Sequence, residues 1–199
     1  MSQRIVLASG SEIRQTLLRN AGVDFDVRRL KIDETSIRDS LVAEGASPRD
    51  IADHLAEAKA RKGSLKDAEA LVIGCDQVLA IDGQILGKPE TPQDARSQLD
   101  RLNGQSHQLL SAAVIYEAAE PIWRHVGVVK LRMRQASASY LDGYVERNWE
   151  SIQHSVGGYK LEEEGVRLFH RIDGDYFNVL GLPLLELLAY LTLRGAIEG

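Results

Sequence analysis

Two hydrophobic periods alternate along the chain, and the switches between them outline a fold. "RIVLAS" at 4–9 is a short unbroken apolar run, as in a strand covered on both faces. It passes through "SGS" into "EIRQTLLRNAG", where Ile13, Leu17, Leu18 and Ala21 mark one face of a helix. Ser11 suits the cap of that helix, Glu12 its positive start and Gly22 its end. "VDFDV" then alternates like a strand with one wet face. "SPRDIADHLAEAKARKG" at 47–63 has a Ser-Pro start and a glycine stop, so it reads as a second helix.

The middle of the chain is richer in strands. "ALVIGC" is another buried run, and Asp76 follows it directly, as at a strand end. "VLAI-DG-QIL" predicts a hairpin, because Asp-Gly suits the left-handed backbone of a two-residue turn. "TPQDARSQLDRLNG" is a further capped helix. "QLLSAAVIY" and "HVGVVKLRMR" form a long antiparallel pair around the polar "EAAEP". A helix near "SYLDGYVERN", a strand "RLFHRI" and an apolar helix after "GLP" complete the order. Strands separated mostly by helices, plus hairpins, predict a mixed α/β sheet in one domain over 1–199.

Composition narrows the partners. The net charge of −5 argues against electrostatic capture of a nucleic-acid polymer or an anionic membrane, but not against a small anion held by a few local cations. With a single cysteine, Cys75, no internal disulfide and no Cys-rich zinc site can form. The apolar run near the N-terminus is short for a signal peptide and no run is long enough to span a bilayer, so a cytoplasmic location is expected.

Four places can carry chemistry. "SGSEIR" offers the N–H groups of a helix start, with Ser11 and Arg14 on one side of its first turn. The alternative is a capping serine beside a solvated arginine. Asp76 could accept a proton or hold a divalent cation, or else begin a turn. Lys88 in "GQILGKP" could neutralise a polyphosphate or simply be solvated after the hairpin. This stretch is no G-x-x-x-x-G-K-[ST] loop: its glycines are too close, and Pro89 stands where the hydroxyl residue is needed. "KIDETS" follows a strand-like run, so only one of Asp33 and Glu34 could serve a shared site. Lys59, on a helix rich in alanine and charge, is exposed by default.

Taken together and in order, these pieces resemble the Maf (septum-formation-associated) nucleotide pyrophosphatases. The resemblance runs through "LASGSEIR", "DE" at 33–34, "AEAKA", "VIGCDQV", "GQILGKP", "DA" at 94–95, "LNGQSH", "GGYKLEEEG" and "GDYFNVLGLPL". It implies an elongated sheet with flanking helices and a central cleft, similar to inosine-triphosphate pyrophosphatases, in a homodimer. It also implies hydrolysis of nucleoside triphosphates between the α- and β-phosphates, with Mg²⁺ or Mn²⁺. By motif, Asp76 is then the proton acceptor for water; Ser11, Arg14, Lys59 and Lys88 bind the triphosphate; and Glu34 shares the metal with Asp76.

The chain departs from the usual S-x-S-P-R-R opening at Glu12 and Gln15. Glu12 would repel a phosphate unless it turns away or holds the metal. Ile13, Gln77 and Glu162 stand where the dTTP/UTP-cleaving branch carries arginine, threonine and glutamine. Gln77 and Glu162 look like the 7-methyl-GTP branch, although Ile13 is not the aromatic residue expected there. The other readings are a dTTP/UTP or broad-range pyrophosphatase, and a nucleotide-binding regulator of septum formation without catalysis.

Overall fold

The computed structural model describes residues 3–199. Its strands are β1 (Ile5–Leu7), β2 (Asp26–Val27), β3 (Leu71–Ile81), β4 (Gln84–Leu86), β5 (Ser106–Glu117), β6 (Glu120–Met133) and β7 (Phe169–Asp173). Its helices are α1 (Glu12–Asn20), α2 (Glu34–Ala43), α3 (Pro48–Ser64), α4 (Pro92–Leu102), α5 (Ala138–Ile152), α6 (Tyr176–Val179) and α7 (Leu184–Leu193). No helix among the described residues is long and apolar enough to cross a membrane.

All seven strands join one mixed sheet in the order β2-β1-β3-β5-β6-β7, with β4 added to β3. β1 runs parallel to β2 and β3, and the remaining pairs are antiparallel. β5 lines one edge of β3 from Val72 to Ala80. The other edge is shared: β1 pairs with Leu71–Ile73, and β4 with Leu79–Ile81. Between those two short strands β3 has no strand neighbour from Gly74 to Val78.

Side chains alternate across the sheet, so each face has its own core. On one face α3 lays Ile51, Leu55, Ala56 and Ala60 on Val78, Ala80 and the β5 residues Ala112 and Val114. The opposite face carries two separate clusters. Leu17, Leu18, Leu187 and Leu191 of α1 and α7 cover Ile73, Cys75 and Ile115. Leu99, Leu102, Leu141 and Tyr144 of α4 and α5 cover Leu79, Leu109 and Leu131. An elongated α/β molecule with a cleft at its middle results.

Local chemistry explains most boundaries. Ser47 and Thr91 each accept a hydrogen bond from the N–H three residues on, and a proline follows each of them at the helix start. Asp82 and Gly83 take φ of 50° and 74°, the left-handed pair that folds β4 back on β3.

Three expectations are corrected. "ALVIGC" and "VLAI" are one strand of 11 residues, so Asp76 lies inside β3 and not at its end; nothing between the two runs turns the chain. "VDFDV" contributes only the two exposed residues of β2. The acidic "DETS" is no strand sequel but the start of α2, whose cap is the Asp33 carboxylate accepting from Ser36 N–H.

Candidate active site

The unpaired stretch of β3 leaves backbone groups that something other than a strand must satisfy. The Cys75 carbonyl accepts from Nη1 of Arg14 at 3.2 Å and from Nζ of Lys59 at 3.4 Å. Two cations thus replace the missing ladder partner. Cys75 itself points into the core, where burial pushes its thiol up to about 11, so it packs as an apolar residue.

Asp76 faces the opposite side, toward α3. That helix comes close because position 74 is glycine: a Cβ there would stand 2.2 Å from the Ala56 carbonyl oxygen. The close approach sets Lys59, about one turn past Ala56, over the strand. Its Nζ lies 2.6 Å from Oδ1 of Asp76 and 3.1 Å from Oε1 of Glu34. Lys59 is only 9% exposed, against the solvated default for its helix. The reason is geometric, since the alanine-rich face that carries it is the face pressed on the sheet. Glu34 is free to turn inward because Asp33 takes the capping role.

Arg14 is also buried, and it works as a clamp. Nε donates to the Gly181 carbonyl at 2.7 Å, and Nη1 also donates to Oγ of Ser9 at 3.3 Å. It ties α1, β3 and the turn before α7 together. The expected pair of parallel donors to a phosphate is therefore reduced: Nη2 makes no protein hydrogen bond among the described residues. Ser11 occupies the cap position of α1, yet its side chain makes no capping bond, which leaves the hydroxyl for a ligand.

These groups open on a cleft of about 1080 Å³. All the sequence-predicted site residues line it: Ser11, Ile13, Arg14, Glu34, Lys59, Asp76, Gln77, Lys88 and Glu162. Lys88 is exposed just past β4, and Glu162 is also exposed. Ile13 packs partly against the α1–α7 core. Gln77 projects to the face opposite Asp76, where its Nε2 donates at 3.0 Å to Oγ of Ser111 and to the carbonyls of Asn178 and Val179. Glu12 also lines the cleft. Among the described residues no three acidic, histidine or cysteine side chains converge as a metal group; Glu34 and Asp76 meet across Lys59.

Several lining residues were not expected, including Arg29, Arg38 and Tyr159. The signal for Arg38 is the helical "ETSIRDSL" of α2, which stacks it one turn above Glu34. Arg29 has no comparable signal. Tyr159 was hidden in a glycine-rich loop, and its hydroxyl meets Nε2 of His107 at 2.7 Å beneath the cleft floor.

Burial pushes His107 down to about 4, so it is neutral in the folded protein at pH 7. The unfolded chain protonates near pH 6.5 and therefore binds more protons between those values. Stability must fall as pH drops through that window, by about 3 kcal/mol in full. Urea unfolding at pH 7 and 4.5 should show a clearly smaller loss in His107→Gln than in wild type. An equal loss in both would remove His107 as the cause.

The family model described as Maf-like protein matches residues 4–193. A protein of Ruegeria sp. (strain TM1040) named nucleoside triphosphate pyrophosphatase is 64% identical over 198 residues, covering 100% of both chains. A protein of Brucella abortus biovar 1 named 7-methyl-GTP pyrophosphatase is 43% identical, again over 100% of both. A solved nucleoside-triphosphatase (dITP/XTP pyrophosphatase) of Mycobacterium abscessus is 15% identical, with a TM-score of 0.45 over 96% of this chain and 94% of that one. The chain belongs to the Maf-like protein family.

Proposed function

We infer that the chain is a nucleoside triphosphate pyrophosphatase, and we propose 7-methyl-GTP as its preferred substrate. The observation that carries the reading is the Asp76–Lys59–Glu34 cluster on the open edge of β3, in a cleft that also holds Arg14 and Lys88. A triphosphate resists hydrolysis because its charged oxygens repel the incoming oxygen nucleophile. Cations at Lys88 and Lys59 offset that charge and stabilise the pyrophosphate that departs.

Asp76 is the proton acceptor. Lys59 holds Oδ1, while Oδ2 carries no hydrogen bond among the described residues. A water bonded to Oδ2 loses its proton there as its oxygen attacks the α-phosphorus. The bond from that phosphorus to the α-β bridging oxygen breaks, and the monophosphate and pyrophosphate separate.

Glu34 and Asp76 fit a Mg²⁺ or Mn²⁺ ion. Such hard cations need only one or two carboxylates when substrate phosphates and water supply the remaining oxygens. One ammonium between two carboxylates also leaves the cluster with a net negative charge. When bound, the ion would draw charge from the phosphates and lower the pKa of a coordinated water.

For the base, Glu162 is the informative residue. Its carboxylate is exposed on the cleft wall and has no protein partner among the described residues. A guanine edge presents two N–H donors to a carboxylate, and 7-methylation adds positive charge to the ring. The 43% identical relatives with that printed activity support the same choice.

The test is pyrophosphate release from a panel of canonical and methylated triphosphates. We expect kcat/KM for 7-methyl-GTP to exceed that for dTTP. Glu162→Gln should lower the methylated value by roughly 10- to 100-fold, the worth of a charge-assisted hydrogen bond. Higher turnover of dTTP would sink the substrate choice, and no release from any nucleotide would sink the enzyme reading.

A further inference from the structure

We propose that Arg38 seats the terminal phosphate of the substrate and thereby makes the site select triphosphates over diphosphates. The proposal rests on the pyrophosphatase reading above and adds a residue which that reading does not use.

Three observations converge on Arg38. First, α2 lines the polar cleft with both Glu34 and Arg38. Its first residue, Glu34, is held at 3.1 Å by Lys59, which also holds the proposed base. One turn later, about 6 Å along the axis, Arg38 reaches the hairpin that carries Lys88. A methyl group on Gly87 would stand 3.4 Å from Nη1 of Arg38, so the guanidinium lies against the residue before Lys88.

Second, the guanidinium lacks a proper partner. Its helical neighbour Glu34 is committed to Lys59, and the one ion pair Arg38 makes among the described residues is between Nε and the adjacent Asp39 at 3.6 Å. That pair is exposed and long, hence weak. Glu90 also lines this part of the cleft but makes no ion pair with Arg38. Nη1 and Nη2 are left to the cleft.

Third, Arg14 cannot do the same work. Its Nε and Nη1 are spent on Gly181, Ser9 and Cys75, whereas Arg38 keeps both terminal nitrogens for a fork on a phosphate. Arg38 lies against Gly87, the residue before Lys88, and an anion held by both cations offsets their mutual repulsion. With the α-phosphorus at Asp76, the anion that reaches Arg38 and Lys88 is the far end of the chain. The β-phosphate stays nearer Lys59.

The experiment compares affinities for a non-hydrolysable α,β-methylene guanosine triphosphate and for GDP by calorimetry, in wild type and Arg38→Gln. Arg38→Gln should weaken the triphosphate analogue by about 10- to 100-fold and leave GDP within about twofold. Equal losses on both ligands, or no loss on either, would overturn the assignment. Arg38 is partly exposed, and circular dichroism checks the folding of the variant. Because binding is the readout, failure of the hydrolysis reading leaves its own mark: no pyrophosphate from wild type, whatever the two affinities are.

Discussion

Asp76→Asn is expected to lower pyrophosphate release by about 100- to 10,000-fold, the span seen when a general base is removed. The substitution is nearly isosteric. Its amide oxygen can still accept from Lys59, which at 2.6 Å holds Oδ1. What disappears is the second oxygen with its proton affinity, the one that carries no protein bond. Lys59 remains paired with Glu34 at 3.1 Å, so no buried ammonium is stranded. The fold should survive, and thermal unfolding followed by circular dichroism will show whether it does. Turnover within about threefold of wild type, with the fold intact, would remove Asp76 from the role of base.

Lys59→Met should act on stability and turnover together. The Asp76 and Lys59 side chains are 10% and 11% exposed, so their ion pair is largely shielded from water. Removing one member leaves a carboxylate buried without its cation, and Glu34 close by adds repulsion. Breaking such a pair costs about 3–5 kcal/mol. Urea unfolding should register most of that, and hydrolysis should be lost because a charge that faces the phosphates has gone. The double variant with Asp76→Asn is the sharper measurement. It removes the stranded charge as well, so it should be more stable than Lys59→Met alone, a non-additivity that only coupled neighbours produce. A Lys59→Met loss within about 0.5 kcal/mol would mark the residue as an ordinary surface lysine.

The local signals were legible where a few consecutive residues decide the outcome. The Ser47-Pro48 and Thr91-Pro92 helix starts, the Asp82-Gly83 turn and the β5–β6 pair all rest on short-range backbone preferences. The candidate site residues came by a different route, since motif order named them, and all of them line one cleft. Their geometry was not legible. An exposed lysine was expected at 59 because helix composition says nothing about which face meets the sheet. A free fork was expected at Arg14 because its acceptors, Cys75 and Gly181, lie far away in sequence. Arg38 went unseen because α2 is weakly amphipathic and buries none of its residues fully, so its apolar period was faint.

By itself, then, the sequence determined most of the strands and helices, α2 excepted, where several turns fall, and which family the motifs belong to. Backbone propensity and side-chain period act over a few residues, and that information is written locally. Only the tertiary structure decided that β1 and β4 are too short to cover the edge of β3 between them. That gap is what draws Arg14 and Lys59 to the Cys75 carbonyl and sets Asp76 in mid-strand beside a cation. Its extent depends on how far two strands, far apart from each other in the chain, pair along a third, and no window of neighbouring residues contains that.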